Sequence, residues 1–128
     1  MARQAALGDE QSDSMDQRIR AAIDFMNSNL HLKLTVNEIA KRVCLSPSHL
    51  NHLFKIETGL PVARYLNKLR LERGKELLET TFLNVKQIAS EVGQSSNHFT
   101  TNFKRAFRVS PSHFAARYRN TKPRKRRS

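Results

Sequence analysis

Residues 36–56 and 85–105 are two copies of one pattern at a constant offset of 49. Val36, Ile39, Ala40, Val43, Ser46, His49, Phe54 and Lys55 recur as Val85, Ile88, Ala89, Val92, Ser95, His98, Phe103 and Lys104, eight identities in twenty-one pairs. Most of them sit where a helix needs an apolar face or a cap, so the repeat is of one small supersecondary unit used twice. Any fold for this chain has to place two such units and something between them.

Each copy reads as two short helices. Thr35 with Glu38, and Asn84 with Gln87, have capping-box spacing, in which each side chain satisfies an orphan N–H at a helix start. Ser46-Pro47 is an N-cap followed by a first-turn proline; the helix it opens runs to about Glu57, buries Leu50, Leu53 and Phe54, and ends at Gly59. In the second copy Gly93 serves the turn, and Phe99, Phe103 and Phe107 stripe the longer helix. Short helix, tight turn and capped helix make a helix-turn-helix pattern.

Between the copies, Pro61 to Leu78 is a long connecting helix with Pro61 suited to its first position. Ser14 and Gln17 have capping-box spacing ahead of Ile19, Ala22, Ile23 and Met26. Ser110-Pro111 opens a last helix with Phe114 and Tyr118 inward. The expectation is an all-α fold of seven helices, two helix-turn-helix subdomains joined by a long linker helix. Its boundaries are a disordered lead-in over 1–13, a first subdomain over 14–60, the linker over 61–79, a second subdomain over 80–119 and a basic disordered tail over 120–128. Gly74 inside the linker costs ~1 kcal/mol relative to Ala. It marks either close packing or a point of flexure.

The formal charge is +12. Residues 17–116 alone carry fifteen Lys/Arg against seven Asp/Glu, so the folded part is basic in its own right. That balance implies a polyanionic partner, most often nucleic acid. Cys44 is the single cysteine and excludes an internal disulfide, and no apolar run approaches a spanning helix, so a soluble cytoplasmic protein without membrane contact is expected.

Outside the apolar stripes, the third helix offers Ser48, His49, Asn51, His52 and Lys55; the sixth offers Asn97, His98, Thr100, Thr101, Asn102, Lys104 and Arg105. Short hydrogen-bonding side chains at helix starts with cations toward the ends suit helices whose first turns face base edges while later residues approach phosphates.

The string LSPSHLNHLFKIETGLPVARYLNKLRLERGKELL, followed by IASEVG and FKRAFRVSPSHF, resembles the DNA-binding region of the AraC/XylS family of bacterial transcription regulators. The resemblance covers roughly Arg18 to Arg119. It implies a sequence-specific double-stranded DNA-binding transcription regulator, usually an activator that contacts RNA polymerase, with two recognition helices in successive major grooves. The family's base-contacting positions fall on Ser48, Asn51 and His52 in the first unit and on Asn97 and Thr101 in the second. Ser46, Lys55, Ser95, Lys104, Arg105 and Arg108 are the corresponding candidates for phosphate.

The chain departs from the family in three places. His52 and Thr101 stand where members often carry a guanine-contacting Arg, which leaves Asn51 and Asn97 as candidates to pair with adenine. Gln94 replaces the usual aromatic after Gly93, with one residue fewer before Phe103-Lys104. Arg108 replaces a usual Gly. One chain is expected to bind as a monomer if it is a stand-alone regulator; the alternative is that it is the C-terminal part of a longer one.

The competing reading is a sequence-independent basic nucleic-acid-binding protein, against which stand two polar-tipped helices and few aromatics for stacking. His49 and His52 with Cys44 lack the fourth ligand of a structural metal site. No phosphate loop, nucleophile elbow or zincin helix occurs, so neither an enzyme nor a cofactor is expected.

Overall fold

The structure, a computed structural model, describes residues 15–121, with side chains through residue 118. Ser14, the lead-in over 1–13 and the tail from Lys122 to Ser128 lie outside the described residues. Among those described there are seven helices and no strand: α1 (Gln17–Ser28), α2 (Val36–Arg42), α3 (Pro47–Thr58), α4 (Val62–Thr80), α5 (Val85–Glu91), α6 (Ser96–Phe107) and α7 (Pro111–Thr121). They fall into two compact units.

In the first unit, α1, α2 and α3 pack on one another. Ile19, Ala22, Met26, Ile39, Ala40, Val43, Leu50 and Phe54 are buried, as are Val62 and Leu66 from the start of α4. Leu53 is half-buried, and the Tyr65 ring meets Phe54 edge-on at 5.1 Å. Asp16 is the N-cap of α1, its Oδ1 accepting from the Arg18 main-chain N–H at 2.8 Å. The Arg18 guanidinium returns to the same carboxylate at 3.0 Å, and these two bonds hold the Asp16 carboxyl below the usual carboxylate range.

The second unit is built on phenylalanine. Phe99 and Phe103 are wholly buried on α6, with Leu71, Leu77, Leu78, Ile88, Ala89, Val92 and Ala115 around them. Phe103 touches Phe107 at 4.5 Å and Phe114 at 5.7 Å between ring centres, and Phe114 stacks on Tyr118 at 6.1 Å. Both capping boxes form as spaced, Thr35 with Glu38 and Asn84 with Gln87.

Three details differ from the sequence-based expectation, the first being the cap of α1, which is Asp16 where the Ser14–Gln17 spacing suggested Ser14. The connecting helix begins at Val62, and the Pro61 carbonyl accepts the Tyr65 N–H at 3.0 Å, so Pro61 precedes the helix instead of opening it. Residues 30–33, which follow α1, pack with the second unit. Arg70 on α4 donates to the Leu32 carbonyl at 2.7 Å, Gly93 lies against the Leu30 and Leu32 carbonyls so closely that a Cβ would strike them, and the Leu30 side chain is buried. Of the two readings of Gly74, close packing is the one that agrees with the structure. A Cβ there would fall on the Phe99 ring, and α4 continues through it.

Candidate nucleic-acid interface

The two helix-turn-helix motifs repeat bond for bond. Leu45 donates its N–H to Ala40 O and Gln94 to Ala89 O, both at 2.9 Å, closing the turn after the first helix of each motif. Ser46 Oγ accepts from His49 N–H and Ser95 Oγ from His98 N–H, both at 3.1 Å, and open α3 and α6. Gly59 and Arg108 end those helices through N–H bonds of 2.8 Å to Lys55 O and Lys104 O. The offset of 49 therefore governs main-chain geometry as well as side-chain identity.

Left-handed backbone is needed at two points of each motif, and the two units divide the glycines differently. At the turn the residues are Cys44 (φ 59) and Gly93 (φ 75); at the helix end they are Gly59 (φ 84) and Arg108 (φ 69). Gly93 has no room for a side chain, whereas a Cβ on Gly59 would meet nothing within 4 Å. Cys44 and Arg108 both project into solvent, which is why a side chain is sterically possible there despite the strain.

Along α3, Ser48, His49, His52, Lys55 and Ile56 are exposed, and Leu50 and Phe54 face the core. Along α6, Asn97, His98, Thr101, Lys104 and Arg105 are exposed, with Phe99 and Phe103 inward. Each helix thus presents one polar stripe beginning at its capped N-terminus. Ser46 and Ser95 spend an oxygen lone pair on the cap and keep the O–H as a donor to an outside acceptor such as a phosphate oxygen. The last turns differ in charge. α3 offers Lys55, beside Ile56 at 65% exposure; α6 offers Lys104, Arg105 and, just past its end, Arg108.

Asn51 stands apart from the other candidates. It is half-buried, and its Oδ1 accepts the Val62 main-chain N–H at 3.0 Å, capping α4. A bidentate pairing with adenine needs that oxygen as well as the amide group, so the adenine expectation does not fit Asn51 in this geometry. Its Nδ2 remains as a donor. Asn97, in contrast, is exposed in the first turn of α6.

Residue types alone do not reveal the Asn51 cap, because nothing local marks Val62 as its partner. The shared role of Gly59 and Arg108 was available from the offset of 49. Among the described residues no group of three or more His, Cys, Asp or Glu is placed to hold a metal ion, and no helix is long and apolar enough to cross a membrane.

A family model described as a helix-turn-helix domain matches residues 39–117. The arabinose operon regulatory protein of Escherichia coli is 32% identical over 116 residues, which is 89% of this chain and 40% of that protein. The transcriptional activator RhaS of Escherichia fergusonii is 37% identical over 105 residues, 81% of this chain and 37% of that one. The chain thus spans about two fifths of the length of these relatives. Among solved structures, the DNA-binding domain of the global transcriptional factor AdpA, in complex with a target DNA, superposes with a TM-score of 0.80 at 25% identity, covering 83% of this chain and 96% of that one.

Proposed function

We propose, from the premise that the chain belongs to the AraC-type helix-turn-helix family, that it is a sequence-specific double-stranded DNA-binding regulator of transcription that reads a major groove with each of α3 and α6. The observation that carries this is the repeated pair of capped helices, each with an exposed polar first turn and cationic last turn, on a chain of charge +12. A helix start in the groove puts short side chains at base edges, and the last turn then lies near the backbone.

Ser48 and His52 on α3, and Asn97 and Thr101 on α6, are the proposed base contacts. Asn51 contributes at most through its Nδ2 while its oxygen caps α4. Ser46, Lys55, Ser95, Lys104, Arg105 and Arg108 take phosphates, which sets affinity and register without reading sequence. With His52 and Thr101 in the outer stripes, neither helix brings an Arg to guanine from those positions.

Two grooves on one face of B-DNA repeat at ~34 Å, so one chain binds as a monomer to an asymmetric site of about two helical turns. RhaS is an activator by name, and activation through contact with RNA polymerase is the corresponding reading for this chain. Selection of bound fragments from random duplexes tests the proposal directly. A two-part consensus is expected; retention with no enriched sequence at any salt would leave only charge-driven binding. Transcription in vitro from a promoter bearing the selected site then separates activation from repression.

A further inference from the structure

In the first unit, the residue after the left-handed turn and the residue before the buried Phe54 are Leu45 and Leu53, both half-buried and apolar. Their counterparts at an offset of 49 are polar, Gln94 and Asn102. Gln94 Nε2 and Asn102 Nδ2 both donate to one acceptor, Oδ1 of Asn67 on α4, each at 3.2 Å. All three belong to the second unit. Gln94 precedes α6 and Asn102 lies at the end of its second turn, so a single carboxamide oxygen ties two points of the turn-and-helix segment to α4.

Stability alone does not call for this cluster. Gln94 Oε1 and the nearby Arg70 Nε are buried without a protein partner, and burial lowers the pKa of the Arg70 guanidinium. A leucine pair at the same two positions leaves no polar group to satisfy. What the polar version adds is direction: hydrogen bonds weaken steeply when a helix slides or rotates, while apolar contact tolerates a shift. The cluster sits where the turn before Phe103-Lys104 carries Gln94 and where Asn102 is the immediate neighbour of Thr101.

We propose that Asn67 is a positioning residue for DNA readout by the second unit. It fixes the rotation and axial register of α6 through Gln94 and Asn102, and so aims Asn97 and Thr101, without itself touching a base. The inference rests on the DNA-reading function proposed above and adds a residue outside both recognition helices to it.

The test is fragment selection and competition with the full chain. Asn97→Ala/Thr101→Ala first identifies the half-site read by α6. Asn67→Leu, which removes the acceptor at similar volume, is expected to lower base preference in that half by about tenfold and leave the other half unchanged. Asn67→Asp, which keeps an Oδ acceptor, is expected to restore the preference. A residue that only stabilises the second unit would cost affinity for selected and random duplexes in parallel, so a parallel loss, or an unchanged preference in Asn67→Leu, overturns the inference. Should Asn67→Leu not fold, Asn67→Leu/Gln94→Leu/Asn102→Leu, which gives the second unit the first unit's apolar pair, decides by the same half-site comparison. A wild-type protein that enriches no sequence overturns the DNA-reading function itself, a result separate from a selective wild type with an unaffected Asn67→Leu.

Discussion

Asn51 Oδ1 accepts the main-chain N–H of Val62 at 3.0 Å, so a side chain on α3 closes the start of α4. Pro61 supplies no N–H and its carbonyl takes the Tyr65 N–H, which leaves the Val62 N–H among the donors that a helix start cannot satisfy internally. Asn51 supplies the missing acceptor from eleven residues upstream.

Asn51→Ala is therefore expected to lower stability by about 1 kcal/mol, the usual cost of a lost cap, read from the urea midpoint at unchanged m-value. Asn51→Asp keeps the acceptor and adds a negative charge at a helix N-terminus, so stability should be held or raised. The same charge on the DNA-facing helix should weaken binding to every duplex. If Asn51→Ala changed base preference without any loss of stability, the residue would be reading DNA and not capping.

The unequal distribution of glycine at the four left-handed positions gives a second set of outcomes. Arg108 holds φ 69 at the end of α6, where its counterpart Gly59 holds φ 84 at the end of α3. A non-glycine residue in this region costs roughly 1–2 kcal/mol, partly offset by the unfolded-chain entropy of glycine. Arg108→Gly should stabilise the protein by about 1 kcal/mol, and Gly59→Ala, with open space at its Cβ, should destabilise it by a similar amount. Gly93→Ala should cost distinctly more, because the Leu30 and Leu32 carbonyls would have to move as well. Equal losses for Gly59→Ala and Gly93→Ala in thermal unfolding would contradict the packing of residues 30–33.

Gly74→Ala looks favourable from helix propensity, which gains ~1 kcal/mol. The Phe99 ring occupies the space that the new methyl would need, and forcing it into a filled core costs roughly 1–3 kcal/mol. A net loss of about 1 kcal/mol is the expected balance. The effect should be coupled: made in a Phe99→Leu background, the same substitution should be neutral or stabilising. Additive losses in that double-mutant cycle would show that the ring is not the obstacle. This also removes Gly74→Ala as a clean probe of flexure, since it disturbs packing within the second unit.

What the sequence makes legible here is whatever is local. Thr35, Asn84, Ser46 and Ser95 cap the helices their spacing assigns them, since the donor and acceptor are three residues apart. The apolar stripes bury Leu50, Phe54, Phe99 and Phe103 for the same reason, a fixed helical period. The Ser14–Gln17 spacing does not mark the start of α1, because Asp16, closer to the helix, is the residue whose carboxylate accepts the Arg18 N–H. Long-range polar contacts leave no local trace. The bond from Arg70 to Leu32 spans 38 residues and that from Asn102 to Asn67 spans 35, and these decide which unit residues 30–33 pack with and how α6 is held. Within the candidate interface, exposure of Ser48, His52, Asn97 and Thr101 follows from periodicity, whereas the inward turn of Asn51 depends on a partner in the next helix.

The two helices proposed to read DNA, α3 and α6, end with different charge, and salt dependence should expose the difference. At equivalent positions α3 has Lys55, Ile56 and Gly59 where α6 has Lys104, Arg105 and Arg108, one cation against three. Each phosphate neutralised contributes about 0.9 to the slope of log K against log salt. Lys55→Ala should lower that slope by about 0.9, and Lys104→Ala/Arg105→Ala/Arg108→Ala by about 2.7, three times as much. Both variants should lose affinity for selected and random duplexes in parallel, because phosphate contacts carry no sequence information. Ile56→Arg, placing a cation where α6 has Arg105, should raise the slope by the same single increment. Should the triple variant keep the wild-type slope, the last turn of α6 would not lie against the DNA backbone, and the docking proposed for the second unit would have to be abandoned.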